Sequence, residues 1–365
     1  MFVLPLPFTY LGAMAIWLVV LLGLFYALLR FRQICRTQGR RMWLANSGLS
    51  IAMLLAAVTA GELGFACFAD FSDTFNITNV SKRWLVLHID SEWNNVQVRD
   101  RNPLNKFVGP GQKRIIFVGD SFTAGHGIKN IDNRFTDRIA AWLEEKAPGK
   151  YVVSNYAEPG LEASMIEGKI KALFKEHYDV NMVVYVYNLN DIEGYAPKTI
   201  EQLQQINTAE PQNFLLRDTY LLNWLYFRYV QFKFAKGTDY FKSLASAYDG
   251  EPWKGTPEKP ALRAKLTQLR SECAENNVDF RMVIFPFVQS LGKDDIFRDA
   301  RAKIVGFCKA EKVPVLDLQP VLNEHTGEKL EVSRFDAHPN ERAHAIAAEA
   351  IEKDLFSDLV APPHP

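Results

Sequence analysis

The sequence predicts an α/β fold with a parallel sheet, preceded by two transmembrane helices. Two long stretches without a charged residue lie near the N-terminus, at 2–29 and 42–61. From Lys113 onward, short β-branched runs alternate with segments of helical period. Alternating strands and helices require crossover connections, which are right-handed and give a parallel sheet covered by helices on both faces.

The composition argues against a nucleic-acid partner and allows a large core. The 365 residues are 48% hydrophobic and 12% aromatic, which suffices for one sizeable domain with accessory segments. Lys plus Arg and Asp plus Glu number 42 each, so no net charge attracts a polyanion.

Both uncharged stretches reach the roughly 20 apolar residues that a transmembrane helix needs. We predict helices at about 8–29 and 43–65, within a membrane anchor over 1–70. A cleaved signal peptide is the alternative for the first stretch. That stretch lacks a basic start, its apolar part is too long, and basic residues rather than a small-residue cleavage site follow it.

The residues between the two stretches set the predicted topology. They include no acid and five arginines, which are Arg30, Arg32, Arg36, Arg40 and Arg41. By the positive-inside rule this loop is cytoplasmic, so the chain after about Asp70 lies outside the cytoplasmic (inner) membrane, in an extracytoplasmic or periplasmic position. Glu62 falls within the second stretch, where an acid can mark a proton or ion path. We expect it instead to snorkel to the nearby interface.

The four cysteines predict no metal site, and no cofactor is expected. Cys35 lies in the basic loop and Cys67 at the end of the second stretch. Cys273 and Cys308 fall on apolar faces of helical segments, where thiols are core residues. A disulfide between these last two is allowed in an oxidising compartment and stays open.

The chain beyond the anchor divides into a connector and a domain. Residues 71–112 have no clean period, so we predict a connector that lifts the next domain off the membrane. The domain covers 113–358, with an aromatic insertion at about 195–257. Its predicted strands are Arg114–Val118, Tyr151–Asn155, Met182–Tyr187, Phe280–Pro286 and Val313–Leu318. Apolar residues at helical spacing predict helices before Pro148-Gly149, near 161–174 and near 346–355.

The segment 214–234 is unusually aromatic and interrupts the alternation of strands and helices. Its rings include Tyr220, Trp224, Tyr226, Phe227, Tyr229 and Phe232. Such a segment could form a pocket lid, a sugar-stacking surface or a helix at the membrane interface. Packing on the sheet is the interpretation that we adopt.

A serine stands where the first predicted strand ends, in Gly119-Asp120-Ser121. Parallel sheets carry their chemistry at the carboxyl ends of the strands. A serine at this point can also be a simple helix N-cap. Near the other end of the chain, Asp336-Ala337-His338 supplies a carboxylate and a histidine. Serine, histidine and aspartate are the parts of a nucleophilic acyl-transfer site.

The loops after the next two strands offer further polar groups at the same edge. Gly160 follows the second strand, and a glycine there lets its N–H approach a ligand closely. Asn190 follows the third strand and carries an amide. With the Ser121 N–H, these groups could supply three donors to a developing oxyanion.

From about Lys113 to Leu355 the chain resembles the SGNH or GDSL hydrolase superfamily. Gly119-Asp120-Ser121 matches its first block, with Phe122 where a leucine often stands. Gly160 matches the second block, and Asn190 the third, with Asn188 in place of a glycine. His338 matches the fifth, with one residue rather than two between Asp336 and the histidine. The resemblance implies a flavodoxin-like three-layer α/β/α sandwich whose members deacylate or transacylate esters.

The resemblance also implies a role for each residue. Ser121 is the nucleophile, His338 the base and Asp336 the group that orients the imidazole. The oxyanion hole consists of Ser121, Gly160 and Asn190. We expect Asp120 to order the turn. His126 and His344 are the rival bases, and we expect them to line the pocket rim and to cap or pack the last helix, respectively.

These observations lead us to expect a membrane-anchored serine esterase that hydrolyses O-acyl esters, O-acetyl above all. The expected substrate is an acylated carbohydrate of a cell-surface or exported polysaccharide, or another ester. An O-acyltransferase that uses the same site to acylate a glycan is one alternative. A non-catalytic glycan-binding or scaffold protein is another. The two helices would suit a membrane protein partner as well as simple anchoring.

Overall fold

A computed structural model describes residues 6–39, 41–237, 239–256, 261–292 and 294–360. By its contacts the chain divides into two compact units. The first comprises Met1–Phe71, Ile77–Arg83 and Thr208–Lys233, and the second Ser72–Asn76, Trp84–Asn207 and Phe234–Pro365.

After the N-terminal region, helices and strands alternate in the first and last parts of the chain, and helices follow one another in the middle part. The first part holds α1 (Phe8–Gln38), α2 (Met42–Phe68), α3 (Asn79–His88), β1 (Lys113–Gly119), α4 (Ser121–Ala124), α5 (Phe135–Lys146), β2 (Tyr151–Asn155), α6 (Ala163–Lys175) and β3 (Met182–Asn188). The middle holds α7 (Pro197–Asn207), α8 (Phe214–Arg217), α9 (Leu221–Gly237), α10 (Tyr240–Ala247), α11 (Glu251–Lys254) and α12 (Leu262–Glu275). The last part holds β4 (Asp279–Phe285), α13 (Arg298–Ala310), β5 (Val315–Asp317), α14 (Gln319–Asn323), β6 (Glu331–Ser333), β7 (Asp336–Pro339), α15 (Glu341–Asp354) and α16 (Ser357–Val360).

Helices α1 and α2 form a hairpin within the first unit. Both are long and apolar enough to cross a membrane. Each extends beyond the predicted bounds, and α1 continues through the basic residues to Gln38 before Gly39 turns the chain with a φ of 63°. The Trp17 indole donates to the Thr59 hydroxyl across the pair at 2.9 Å. Arg40, one of the five arginines used for the topology, lies outside the described residues.

Glu62 is buried and does not snorkel, so that prediction is wrong. Its carboxylate accepts a hydrogen bond from the Tyr10 hydroxyl at 2.9 Å. It also accepts from the backbone N–H groups of Tyr220 and Leu221, at 2.7 and 2.8 Å. The first N–H groups of a helix have no acceptor within the helix. Glu62 therefore caps the N-terminus of α9 from a distant part of the chain.

The aromatic segment packs with the N-terminal helices, so the prediction that it packs on the sheet is wrong. Residues 208–233 belong to the first unit. The Tyr220 ring lies edge-on to Tyr10, with ring centroids 5.1 Å apart. Trp224 packs on Phe65 at 5.6 Å and on Phe71 at 6.4 Å. Tyr220 and Trp224 thus pack within the first unit, whereas Tyr229 and Phe232 of α9 are exposed.

The second unit contains a five-stranded parallel sheet with flanking helices, as predicted. The strand order is β2-β1-β3-β4-β5. In the register, Ile115 of β1 pairs with Val153 of β2 and with Met182 of β3. Helix α5 packs with α15, and α6 packs with α12. This order brings the ends of β1, β2 and β3 to neighbouring places on one edge of the sheet.

The connector predicted over 71–112 is only partly a spacer. It contains α3, and from Trp84 onward it belongs to the second unit. Arg99 is buried and donates to the Gly125 carbonyl at 2.9 Å. The Asp100 carboxylate accepts from the Asn155 N–H at 2.8 Å, at the end of β2. This part of the chain therefore supports the loops at the edge where the strands end.

Cys273 and Cys308 are buried core residues and remain free thiols. The Cys308 sulfur lies 3.5 Å from the sulfur of Met282, on β4. The disulfide left open by the sequence is not formed.

Candidate active site

The turn after β1 holds Ser121 at the first position of α4. Asp120 is the N-cap, and its carboxylate accepts from the Phe122 N–H at 2.9 Å. Asp120 thus orders the turn, as predicted. A Cβ on Gly119 would lie 2.8 Å from the Val186 carbonyl oxygen and closer still to the Thr123 side chain. Only glycine fits at this point of the turn.

Ser121, His338 and Asp336 form one continuous chain of hydrogen bonds. The Ser121 Oγ lies 2.8 Å from His338 Nε2. The other ring nitrogen, Nδ1, lies 2.6 Å from Asp336 Oδ1. Because the carboxylate requires a proton on Nδ1, Nε2 is left as the acceptor that faces the serine hydroxyl. The structure therefore brings together the three residues that the sequence analysis selected as a triad.

A β-hairpin that the sequence analysis did not predict presents the acid and the base. Strand β7 pairs antiparallel with β6 and contains both Asp336 and His338. Side chains two residues apart in a strand point to the same side. The single residue between the aspartate and the histidine therefore suits this strand. The Phe122 ring packs edge-on against the imidazole of His338, with centroids 5.5 Å apart.

Asp336 is fully buried, and its surroundings favour the charged carboxylate. Burial alone would raise the pKa of Asp336, but the charge and hydrogen bond of His338 and the nearby His126 outweigh it and hold the pKa below its ordinary range. A carboxylate that stays ionised can orient an imidazole and stabilise it when it becomes cationic.

His126 lies behind the triad rather than on the pocket rim, so the prediction for it is wrong. It is completely buried between Trp84 and His338, with ring centroids 5.1 and 4.2 Å away. Burial, with the charge of His338, lowers the pKa of His126 to about 3. His126 is therefore neutral at physiological pH.

His344 packs within the last long helix, as predicted. It lies in α15, is completely buried, and accepts from the Phe135 N–H at 3.1 Å. Its ring stacks on that of Phe135 at 5.5 Å. Burial lowers the pKa of His344 to about 3.

The two further oxyanion candidates lie in the loops that follow β2 and β3. Gly160 has a φ of 82°, and open space surrounds the position that a Cβ would take. The Glu158 N–H in the same loop donates to the Gly119 carbonyl at 3.3 Å, which ties this loop to the end of β1. The Asn190 side chain interacts with the Asp120 carboxylate, next to Ser121.

A buried group of acids and tyrosines follows the third strand, and the sequence analysis did not single it out. Tyr185 donates to Asp191 at 2.6 Å, and Tyr240 donates to Glu193. Burial raises the pKa of Asp120 to about 6 and that of Glu193 to about 7, and it raises the pKa of Asp191 well above its ordinary value. These carboxyls carry less charge at neutral pH than exposed acids do.

Three residues of the site could also approach one metal ion. Ligand atoms of His126, Asp336 and His338 lie within 4.8 Å of one another. The hydrogen bonds described above use the same Asp336 and His338 atoms. These atoms of Asp336 and His338 are therefore suitably placed to accept and stabilise the proton of the Ser121 hydroxyl.

Ser72 and Thr74 also contact the hairpin, and both were missed by the sequence analysis. The Ser72 hydroxyl donates to Asp336 Oδ2. The Thr74 hydroxyl accepts from the Ala337 N–H at 2.9 Å. These residues carry no local motif, and their partners lie more than 260 residues later in the chain.

Comparisons with known proteins found a matching family model and several similar solved structures. Residues 117–346 match the model of the GDSL-like Lipase/Acylhydrolase family. The chain is similar to the crystal structure of a lipolytic protein of the G-D-S-L family from Veillonella parvula DSM 2008, at 14% identity over 67% of this chain and 98% of that chain, with a TM-score of 0.40. It is also similar to TesA, at 14% identity over 67% of this chain and 99% of that chain, with a TM-score of 0.42. A third similar structure is the acetyl xylan esterase AlAXEase, at 12% identity over 66% of this chain and 99% of that chain, with a TM-score of 0.41.

No curated protein matches the chain significantly. The family model, however, spans more than half of the sequence, from the end of β1 into α15. The parallel sheet with its flanking helices agrees with that match. The protein belongs to the GDSL-like lipase/acylhydrolase family, also called the SGNH hydrolases, and is a serine ester hydrolase.

Proposed function

We propose that the protein is a membrane-anchored esterase that hydrolyses O-acyl esters through a Ser121-His338-Asp336 triad. One observation carries the proposal, namely the hydrogen bonds from Ser121 to His338 at 2.8 Å and from His338 to Asp336 at 2.6 Å. A serine hydroxyl is a weak nucleophile until an adjacent base accepts its proton. The ionised, buried Asp336 then stabilises the imidazolium that forms.

The reaction proceeds through an acyl-enzyme. The Ser121 Oγ attacks the ester carbonyl carbon while His338 Nε2 takes the hydroxyl proton. The tetrahedral intermediate collapses, and the imidazolium returns the proton to the alcohol oxygen as the ester bond breaks. Water then attacks the acyl carbonyl carbon and gives a proton to His338. The imidazolium returns this proton to the Ser121 Oγ as the acyl–oxygen bond breaks, which releases the carboxylic acid and regenerates Ser121.

The oxyanion of each tetrahedral intermediate is stabilised by donors at the edge of the sheet. We assign the Ser121 N–H, the Gly160 N–H and the Asn190 amide to this role. The Ser121 N–H is available because it is the first of its helix. Removal of one such donor typically costs roughly 10²–10³ in kcat.

The membrane position supports the choice of substrate class. We propose that α1 and α2 span the cytoplasmic membrane with the basic turn inside, which leaves the hydrolase domain on the extracytoplasmic or periplasmic side. An esterase at that place would meet the O-acyl groups, O-acetyl above all, of cell-surface or exported polysaccharides. This step rests on location and family analogy.

The triad is tested with the full chain in detergent and a short-chain aryl ester. We expect Ser121→Ala and His338→Ala each to lower kcat by roughly 10³-fold or more. Ser154→Ala, which changes a buried serine in β2, is the matched control and should retain activity. Full turnover by Ser121→Ala would contradict the proposal, as would a lack of labelling of Ser121 by a fluorophosphonate in folded protein.

The substrate class is tested by acetate release from an O-acetylated polysaccharide, with and without a sugar acceptor. We expect free acetate in both cases. Acetyl transfer to the acceptor, with little free acetate, would instead identify an O-acyltransferase. Binding of the polysaccharide without either product would favour the scaffold alternative.

A further inference from the structure

The segment that follows α2 is built into the active-site hairpin. Helix α2 ends at Phe68, and Ser72–Asn76 already belongs to the second unit. Ser72 is only 1% exposed, and its hydroxyl donates to Asp336 Oδ2. The two residues are 264 positions apart in the sequence. Ser72, which follows α2 closely in the sequence, thus contacts the acid of the triad.

Ser72 is the hydrogen-bond donor to one particular oxygen of Asp336. The other oxygen, Oδ1, accepts from His338 Nδ1 at 2.6 Å and from the His338 N–H at 3.1 Å. His126 Nε2 approaches Oδ2, but its distance of 3.7 Å exceeds that of a hydrogen bond. Because Asp336 is fully buried, the Ser72 hydroxyl takes the place that water has around an exposed carboxylate.

The backbone around Ser72 is fixed to the same hairpin. The Thr74 N–H donates to the Phe335 carbonyl at 3.2 Å. The Thr74 hydroxyl accepts from the Ala337 N–H at 2.9 Å and donates to the Phe335 carbonyl at 3.3 Å. The residues on both sides of Asp336 are therefore hydrogen-bonded to Thr74, which lies two positions after Ser72.

We propose that Ser72 is a positioning residue for Asp336, so that the segment after α2 forms part of the active site. A carboxylate held at Oδ2 cannot rotate away from His338, and Oδ1 stays directed at Nδ1. The same hydrogen bond stabilises the negative charge that faces the imidazolium during acyl transfer. The inference rests on the proposed function of Asp336, and it adds a residue that the family motifs do not contain.

The test is a double-mutant cycle in the full chain, with aryl-ester turnover as the readout. We expect Ser72→Ala to lower kcat by roughly 10–100-fold, the range for a lost hydrogen bond to a charged group, with KM within about 2-fold. In the Asp336→Ala background, the same change should lower kcat by less than about 2-fold, since Ser72 acts through the carboxylate. Ser154→Ala should leave kcat unchanged in both backgrounds.

The possible results distinguish the role of Ser72 from the proposed function. Unchanged kcat in Ser72→Ala would overturn the inference, as would equal losses from Ser72→Ala with and without Asp336. A Tm that falls in step with kcat in both backgrounds would also overturn it, because Ser72 would then be only structural. The proposed function is tested separately, by the activity of Ser121→Ala and His338→Ala and by the fluorophosphonate labelling of Ser121.

Discussion

At the scale of single residues, Gly119 shows how closely the turn before Ser121 is packed. An added methyl group at this position would meet the backbone oxygen of Val186, in the adjacent strand β3, at 2.8 Å. A backbone atom inside a sheet cannot move aside as a flexible side chain can. The glycine is therefore required by the approach of two strands and the turn.

We predict that Gly119→Ala destabilises the protein by about 1–3 kcal/mol, the usual cost of overpacking, and lowers esterase activity as Ser121 is displaced. Gly168→Ala, in α6, is the control. Its Cβ would meet nothing within 4 Å, so it should raise stability by about 0.5–1 kcal/mol through helix propensity. Thermal unfolding and aryl-ester turnover measure both variants. Equal stability of Gly119→Ala and wild type would refute the prediction.

The raised pKa of Glu193 predicts how the stability of the protein depends on pH. Burial raises its pKa from 4.5 to about 7, so the folded state binds more protons than the unfolded state between these values. Stability due to this group therefore falls as pH rises from about 4.5 to 7. We predict that Glu193→Gln raises Tm at pH 8 by several degrees and has little effect at pH 4.5. The exposed Glu145→Gln should lack this pattern, and a Tm difference that does not change with pH would contradict the assignment.

The short motifs around the triad residues could be recognised in the sequence, whereas the contacts that support these residues could not. Ser121, Asp336 and His338 stand in motifs that the chain presents locally, so the sequence analysis could select them. The Ser72 hydroxyl makes its hydrogen bond, and the His126 ring its packing contacts, with residues from other parts of the chain. A serine after an apolar stretch or a lone histidine gives no sign of such a partner.

At the scale of elements, the hairpin and the helix after it hold His338 in place through Asn340. The Asn340 side-chain oxygen, Oδ1, accepts from the N–H groups of Arg342 and Ala343, both at 3.0 Å, and so caps α15. Its amide donates to the Lys329 carbonyl at 2.7 Å. One side chain thus joins the start of α15 to the chain just before β6.

We predict that Asn340→Ala lowers stability by about 1–2 kcal/mol, the cost of a lost N-cap, and lowers kcat because β7 is no longer fixed. Asn340→Asp retains the cap acceptor and loses the amide donor, so its loss of stability should be smaller. Chemical denaturation gives the stability, and aryl-ester turnover gives kcat. If the alanine and aspartate variants lose the same stability, the capping contribution is refuted.

The regular elements were predictable where their patterns were strong. All five strands of the sheet were placed because β-branched runs ended at turn residues. The hairpin of β6 and β7 was not predicted, since each strand has only three or four residues, too few to establish an alternation of apolar and polar residues. The aromatic segment 214–234 was wrongly assigned to the sheet, because its partners Tyr10 and Phe65 lie far away in the sequence and leave no local pattern.

At the scale of the whole molecule, each unit is assembled from segments that are far apart in the sequence. The second unit takes Ser72–Asn76 and the region from Trp84 onward, although its first strand begins only at Lys113. No linear boundary separates an anchor from a catalytic domain. A local pattern cannot reveal this division, because it depends on contacts between distant segments.

This division predicts how truncated proteins behave. A fragment that begins at Asn105 lacks Arg99 and Asp100, which bind the Gly125 carbonyl and the Asn155 N–H. It also lacks Ser72. We predict that this fragment has a lower Tm and at least roughly 10-fold lower kcat than a fragment that begins at Ser72, both measured in the same detergent. Equal Tm and kcat of the two fragments would show that residues 72–104 are dispensable.

The contacts of Glu62 have a consequence for the order of events during synthesis. A ribosome makes Tyr10 well before Glu62, but Tyr220 follows 158 residues after it. While α2 is being synthesised, the Tyr10 hydroxyl is the partner that already exists, and the backbone N–H groups of Tyr220 and Leu221 are still to be translated. The helical hairpin of α1 and α2 can therefore form early, whereas the first unit reaches its final packing only after more than half of the 365-residue chain has been synthesised.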